Sequence, residues 1–249
     1  MKLLLAMLLA VALFAPRPAV ADDTATTDTL NKWQRLYLNR TALFRAENEA
    51  LQPGDRPIVF AGDSLTQALH LDELFPGHLV LNRGIASDGT ANFPNAEPPH
   101  YRGLVNRYED SILNAHPRVL FILIGTNDVG MRSIDLSYWE QHLESLIDRV
   151  ESDLPDCRII LHTLPPSGPP YSRVESLNER AVEYNDLLKA LAARRNLPII
   201  DLWEIYASPE GILPSDVTND GLHLKREAHE RWAAAARPYF TSDGSRAEQ

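Results

Sequence analysis

The sequence predicts an α/β protein built on a parallel five-stranded sheet in the order 2-1-3-4-5, with helices over both faces. Two observations carry this. Five short apolar runs alternate with helical stretches along the 249 residues, and parallel strands joined in this way need right-handed crossovers that lay helices on the sheet. In addition, the run VLFILI, Val119 to Ile124, is apolar at every position, as a strand buried on both faces must be.

Each element has its own signal. A helix opens near Thr29, with Leu30, Trp33, Tyr37 and Phe44 spaced as a stripe. The stretch QPGDRP ends it, and IVFA from Ile58 is the first strand. A short helical stretch follows Ser64 as far as the turn ELFPGH, and LVLN, Leu79 to Asn82, is the second strand. A polar region from Ala86 to Arg102 precedes a helix marked by Leu104, Tyr108 and Ile112, which must stop before Pro117. After the third strand, VLFILI, come a helix striped by Trp139, Leu143, Leu146 and Val150, and a fourth strand from Cys157 to Thr163. A long helix through Leu177, Ala181, Tyr184, Leu188 and Leu191 leads to the strand LPIIDL, and a last helix spans about Leu224 to Phe240. No internal repeat or linker interrupts the pattern.

The first 21 residues read as an export leader: Lys2 is its positive end, Leu3 to Phe14 its apolar core and Ala19-Val20-Ala21 its cleavage site. That core is too short to span a bilayer, which takes ~20 apolar residues. Cleavage near Ala21 leaves residues 22–249 as a single exported domain, periplasmic or secreted, without stable membrane insertion. The chain carries a net charge of -10. Removing Lys2 and Arg17 with the leader leaves 22 basic against 34 acidic residues, or -12. Such a surface repels nucleic acid. Cys157, the single cysteine, opens an apolar run and reads as a small buried hydrophobe. The eight histidines do not fall into a ligand cluster, so neither a metal nor another cofactor is expected.

In the order 2-1-3-4-5 the second, first and third strands are neighbours. Their carboxyl ends deliver Gly84, Ser64 and Asn127 to one edge of the sheet, where ligand sites of such folds lie. Acyl transfer needs a nucleophile, a base, a group to orient the base and donors for an oxyanion. Ser64 can attack, and its own N–H, the Gly84 N–H and the Asn127 amide can receive the negative charge. His223 follows Asp220 by three residues across Gly221, so the carboxylate can hold Nδ1–H and leave Nε2 for the serine. Taken singly, each has another reading: Asp63-Ser64 and Asn127 as helix caps, Gly84 as a turn, Asp220-His223 as a capping pair. The blocks GDSL, NRGI, GTND and DGLH gain their meaning from occurring together and in this order. Two other motifs are excluded. A GxSxG elbow would need glycine where Thr66 stands, and GTNDVG lacks the Lys and Ser/Thr of a phosphate loop.

This set of blocks resembles the SGNH (GDSL) hydrolase family over about Ile58 to Phe240. The resemblance implies a three-layer, flavodoxin-like α/β/α fold and metal-independent ester or thioester hydrolysis. By it, Ser64, Asp220 and His223 are the catalytic triad, and Ser64, Gly84 and Asn127 the oxyanion hole. The stretch ELFPGHLVLNRGI followed by Asp88 is most similar to the platelet-activating-factor acetylhydrolase and bacterial carbohydrate acetylesterase branch. Where those members often read GIGGDTT, this chain has GIASDGT. The expectation is an exported serine esterase removing a short acyl group, acetyl first, from a carbohydrate or lipid. The alternatives are a lysophospholipase or thioesterase, an O-acetyltransferase on the same triad, and a non-hydrolytic glycan-binding relative. Three polar stretches, Ser87 to Arg102, Val129 to Tyr138 and Pro165 to Arg173, should form a shallow rim. Its Asn92, Asn95, His100, Tyr101, Tyr171 and Arg173 suit a sugar, with Phe93 as the one large apolar side chain.

Overall fold

Strands β1 (Ile58–Gly62) and β3 (Val119–Leu123) are buried at all five positions, because they lie at the centre of a sheet covered on both sides. The computed structural model describes residues 30–92, 103–131, 135–171 and 173–241. The leader through Ala21 and the rim residues Phe93, Asn95, His100 and Tyr101 lie outside the described residues. From Lys32 onward the described residues belong to one compact unit.

In chain order the elements are α1 (Lys32–Glu49), β1, α2 (Ser64–Gln67), α3 (Leu71–Leu74), β2 (Val80–Gly84), α4 (Tyr108–Ser111), β3 and α5 (Thr126–Val129). There follow α6 (Leu136–Asp153), β4 (Arg158–His162), α7 (Val174–Arg195), β5 (Ile199–Ile200), α8 (Leu202–Tyr206) and α9 (His229–Ala236). The strands pair in the order β2-β1-β3-β4-β5, and every pairing is parallel. The predicted order is the observed one.

Alternate residues of each strand face opposite layers. Phe60 and Phe121, in register across β1 and β3, stack at 4.4 Å. Phe75, just after α3, and Phe240, beyond α9, pack on them, at 5.5 Å from Phe60 and 5.9 Å from Phe121 respectively. On the same face the buried His162 of β4 accepts from Trp232 Nε1 of α9 at 2.9 Å. Helices α3, α8 and α9 form this layer, and α1, α4, α6 and α7 touch one another on the other side. On that side α6 buries the predicted stripe of Trp139, Leu143, Leu146 and Val150. Helix α1 buries Phe44 but leaves Trp33 at 37% exposure.

Three expectations differ from the structure. The helix read through Leu104, Tyr108 and Ile112 is broken into a 3-10 turn, the four residues of α4 and a second 3-10 turn. The break serves Arg107, whose buried guanidinium donates to the carbonyls of Arg83 and Gly62 at 2.9 Å each. The last helix is shorter than predicted, flanked by 3-10 turns at Arg226–Ala228 and Arg237–Tyr239, with Pro238 unable to continue it. Strand β5 is two residues long, because Asp201 caps the unforeseen α8 by accepting from Glu204 N–H at 3.1 Å.

Candidate active site

The register brings Gly62 beside both Gly84 and Leu123, so the carboxyl ends of β2, β1 and β3 lie side by side. Gly62 is required for space. A Cβ there would meet the Leu123 carbonyl oxygen at 2.0 Å and Thr66 Oγ1 at 2.4 Å. The chain then enters α2, with buried Asp63 accepting from Leu65 N–H at 3.0 Å and Ser64 as the first helical residue. The capping reading of Asp63 is therefore correct, and it is what aims Ser64 off the sheet edge.

His223 comes from a different part of the chain. The residues before it form a tight loop closed by an antiparallel bridge between Thr218 and Leu224. Gly221 takes a φ of 79°, and a Cβ there would meet the Gly168 carbonyl oxygen at 1.8 Å. Thr218 Oγ1 donates to the His223 carbonyl at 2.7 Å, fixing the backbone under the ring. The last helix begins only at His229, so Asp220 and His223 are not its caps. Nε2 of His223 stands 2.9 Å from Ser64 Oγ, across 159 residues of sequence. Nδ1 stands 2.7 Å from Asp220 Oδ2. The other carboxylate oxygen, Oδ1, accepts from the N–H groups of Leu222 and His223 at 3.0 and 2.8 Å. Burial pushes the Asp220 pKa up, but the hydrogen bonds from His223 and Leu222 outweigh it and hold the carboxyl down at about 2. Asp220 is thus a permanent anion behind the imidazole, although its side chain is 56% exposed.

Asn127 lies in α5, directly beyond β3. Its Nδ2 donates to the Asp88 carbonyl at 2.8 Å, which leaves the second amide hydrogen available. Asp88 is itself buried and paired with Arg107 Nε at 2.7 Å. One guanidinium therefore ties the end of β1, the end of β2 and the loop that holds Asn127.

The donor role expected of Gly84 does not fit. Its N–H donates to Asn82 Oδ1 at 2.9 Å. Glycine is needed there because a Cβ would meet the Gln67 nitrogen at 2.1 Å, so the residue lets α2 sit against β2. Three residues on, Ser87 has a φ of 64°, an uncommon value for a side-chain-bearing residue. It lines a cavity of about 310 Å3 together with Thr126, Asn127, Tyr171, Arg173 and Leu222. Its N–H has no acceptor among the described residues. The sequence analysis placed Ser87 at the start of the rim and not among the oxyanion donors; the one signal for it was that this chain has a serine where similar sequences have a glycine-rich turn.

A larger cavity, about 680 Å3, lies at the opposite edge of the sheet among Asp55, Arg56, His116 and Asp156, on the segments preceding β1, β3 and β4. It contains none of the residues above. Cys157 is half-buried, and burial pushes its thiol up to about 12, which leaves it without nucleophilic character. Among the described residues, no group of three or more His, Cys, Asp or Glu could hold a metal ion, and no helix is long and apolar enough to cross a membrane.

Fold and site together define the SGNH class of esterases. The model of the GDSL-like lipase/acylhydrolase family matches residues 52–231, and the chain belongs to that family. Among solved structures, it is similar to a Streptococcus pneumonia protein described as a candidate platelet activating factor. That pair shares 23% identity at a TM-score of 0.70, over 83% of this chain and 94% of the other. A GDSL-like lipase of Bacteroides thetaiotaomicron is 18% identical at a TM-score of 0.67, over 80% of this chain and 96% of the other. An acetyl xylan esterase is 20% identical at 0.60, over 74% of this chain and 100% of the other. No curated protein matches the sequence. At these identities the likeness to solved structures is one of fold.

Proposed function

We propose that the protein is an exported serine esterase that hydrolyses short-chain acyl esters, acetyl first, of a carbohydrate or lipid. The observation that carries this is the unbroken path from Ser64 Oγ to His223 Nε2 at 2.9 Å and from His223 Nδ1 to Asp220 at 2.7 Å. In this reading Ser64 Oγ attacks the ester carbonyl carbon while His223 Nε2 takes the hydroxyl proton. The imidazolium, held by the Asp220 carboxylate, then gives that proton to the departing alcohol. Water, deprotonated by the same nitrogen, releases the acid and restores the serine. The oxyanion is received by the Ser64 N–H, the free amide hydrogen of Asn127 and the Ser87 N–H, with Gly84 acting by letting α2 close on β2. One such donor is worth ~2.7–4 kcal/mol in the transition state. Export rests on the leader formed by Lys2, the Leu3–Phe14 run and Ala19-Val20-Ala21. The carbohydrate side is supported by the hydroxyl- and amide-lined cavity next to Asn127.

The test is Ser64→Ala. Turnover of an aryl acetate should fall to background, and a serine-directed phosphonate should label the wild type at Ser64 and leave the folded variant unlabelled. Full activity in a folded Ser64→Ala protein would end this reading.

A further inference from the structure

The triad chemistry leaves Arg173 unused, yet it lines the cavity beside Asn127 and also the adjoining one, of about 300 Å3, among Val129, Ser176 and Leu177. It is the only charged side chain among the described residues lining either. This is unexpected in a chain of net charge -10. Several partly or fully exposed arginines stand against carboxylates, as Arg45 does with Asp110, Arg149 with Glu109 and Arg195 with Asp148. Arg173 makes no ion pair among the described residues. The single hydrogen bond of its side chain runs from Nη2 to Tyr171 Oη at 3.1 Å, and the guanidinium carbon lies 5.8 Å from the centre of the same ring. Tyr171 therefore orients the cation without neutralising it. A guanidinium has five N–H donors in a planar fork, so most remain to be used, and the fork matches a carboxylate or a phosphate in two-point contact.

We infer that this cavity receives an anionic oxygen group on the ester substrate, a carboxylate or a phosphate, and that Arg173 is the residue that selects for it. The inference rests on the proposed role of Ser64, since the cavity shares Asn127 and Leu222 with the surroundings of the triad. A neutral acylated sugar would satisfy Asn127 and Tyr171 but would leave the guanidinium without a counter-charge. The overall negative field of the protein would hold such an anion off everywhere else, so the preference has to be made locally.

The experiment compares matched esters on the wild type, Arg173→Gln and Arg173→Lys. One pair is an acetylated galacturonide oligosaccharide and its methyl ester; the other is acetylglycerol phosphate and acetylglycerol. The readout is the ratio of kcat/KM for the anionic and neutral members, in which any general loss of activity cancels. The wild type should favour the anion in one pair, and that pair names the group. Arg173→Gln should lower the ratio roughly five- to tenfold, the range for a charged contact that is partly open to solvent. Arg173→Lys should fall between, keeping the charge and losing the fork. A wild-type ratio at or below one in both pairs, or the same ratio in Arg173→Gln, overturns the inference. Turnover of the neutral esters by the wild type and its loss in Ser64→Ala show separately that the esterase reading stands; if Ser64→Ala keeps its activity, both fall.

Discussion

At His223 the two ring nitrogens face different partners, and in the proposed mechanism this division sets the chemistry. Nε2 faces Ser64 and must accept a proton; Nδ1 faces Asp220 and must donate one. Asp220 does not ionise or neutralise anywhere in the working range, because its pKa is held at about 2. The general base at this position therefore has to be the imidazole, since the carboxylate stays ionised. Replacing Asp220 by Asn keeps the shape but lets the ring adopt the wrong tautomer, a change that costs ~10⁴ in kcat where the aspartate is buried. Here the carboxylate is half open to water and solvent screens its field, so Asp220→Asn should lower kcat by about 10²-fold and leave KM nearly unchanged. A fall in KM as large as that in kcat would refute the orienting role. Ser64, Asn127, Asp220 and His223 could all be found in the sequence, because each follows a recognisable strand end or loop. The proposed replacement of Gly84 by Ser87 as a donor could not. It depends on where the Asn82 side chain turns and on a positive φ at a serine, and neither leaves a mark in residue type.

Two of the shortest helices, α2 and α5, carry Ser64 and Asn127, and each holds a fully buried acid against its first turn. Asp63 caps α2; Asp128 lies inside α5, accepting from Thr90 N–H and Oγ1 at 2.9 and 2.6 Å. One oxygen of each, Asp63 Oδ2 and Asp128 Oδ1, has no well-formed hydrogen bond among the described residues. Burial raises Asp63 from 3.8 to about 6, with the Leu65 N–H pulling back. Burial also raises Asp128, from 3.8 to about 7, against the pull of Thr90 and with a further push from Asp63 and Asp88. Both folded values exceed the unfolded ones, so between about pH 4 and pH 7 the native state binds more protons, and stability falls as pH rises. Asp128→Asn can keep both Thr90 contacts on its carbonyl oxygen while removing the charge. Its melting temperature should exceed that of the wild type at pH 8, with the gap widening by roughly 5–10 °C between pH 5 and pH 8. An unchanged gap would mean that Asp128 is ionised in the folded protein throughout. At this scale the strands and the long helices α6 and α7 were legible, since apolar periodicity is what they bury. The broken region around α4 and the short α8 were not. Their form is dictated by one buried arginine and one capping aspartate rather than by any repeating pattern.

For the molecule as a whole, topology decides which edge of the sheet acts. The larger cavity lies among the segments that enter the strands, whereas the one lined by Ser87, Thr126 and Asn127 lies beyond the ends of β2 and β3. Of the rim expected from Ser87–Arg102, Val129–Tyr138 and Pro165–Arg173, the described residues Ser87, Gly130, Met131, Tyr171 and Arg173 line this cavity, whereas Asn92 does not. Acyl-chain preference follows from what lines it. An octanoyl group carries six more carbons than acetyl, and taking each out of water is worth ~0.8 kcal/mol. A continuous apolar channel would therefore favour octanoyl by about 5 kcal/mol of binding, a preference impossible to miss. The described lining offers Met131, Leu177 and Leu222, but Ser87, Thr126, Asn127, Tyr171 and Arg173 stand among them. A long chain laid across these groups would strip water from hydroxyls, an amide and a guanidinium without replacing their hydrogen bonds, which offsets the gain from its methylenes. Acetyl needs only the space next to Asn127 and the Ser64 N–H. On matched aryl esters, kcat/KM should thus favour acetyl over octanoyl by at least about tenfold, some 1.4 kcal/mol. A clear octanoyl preference would show that an apolar groove continues past Met131 and would make lipids the substrate class.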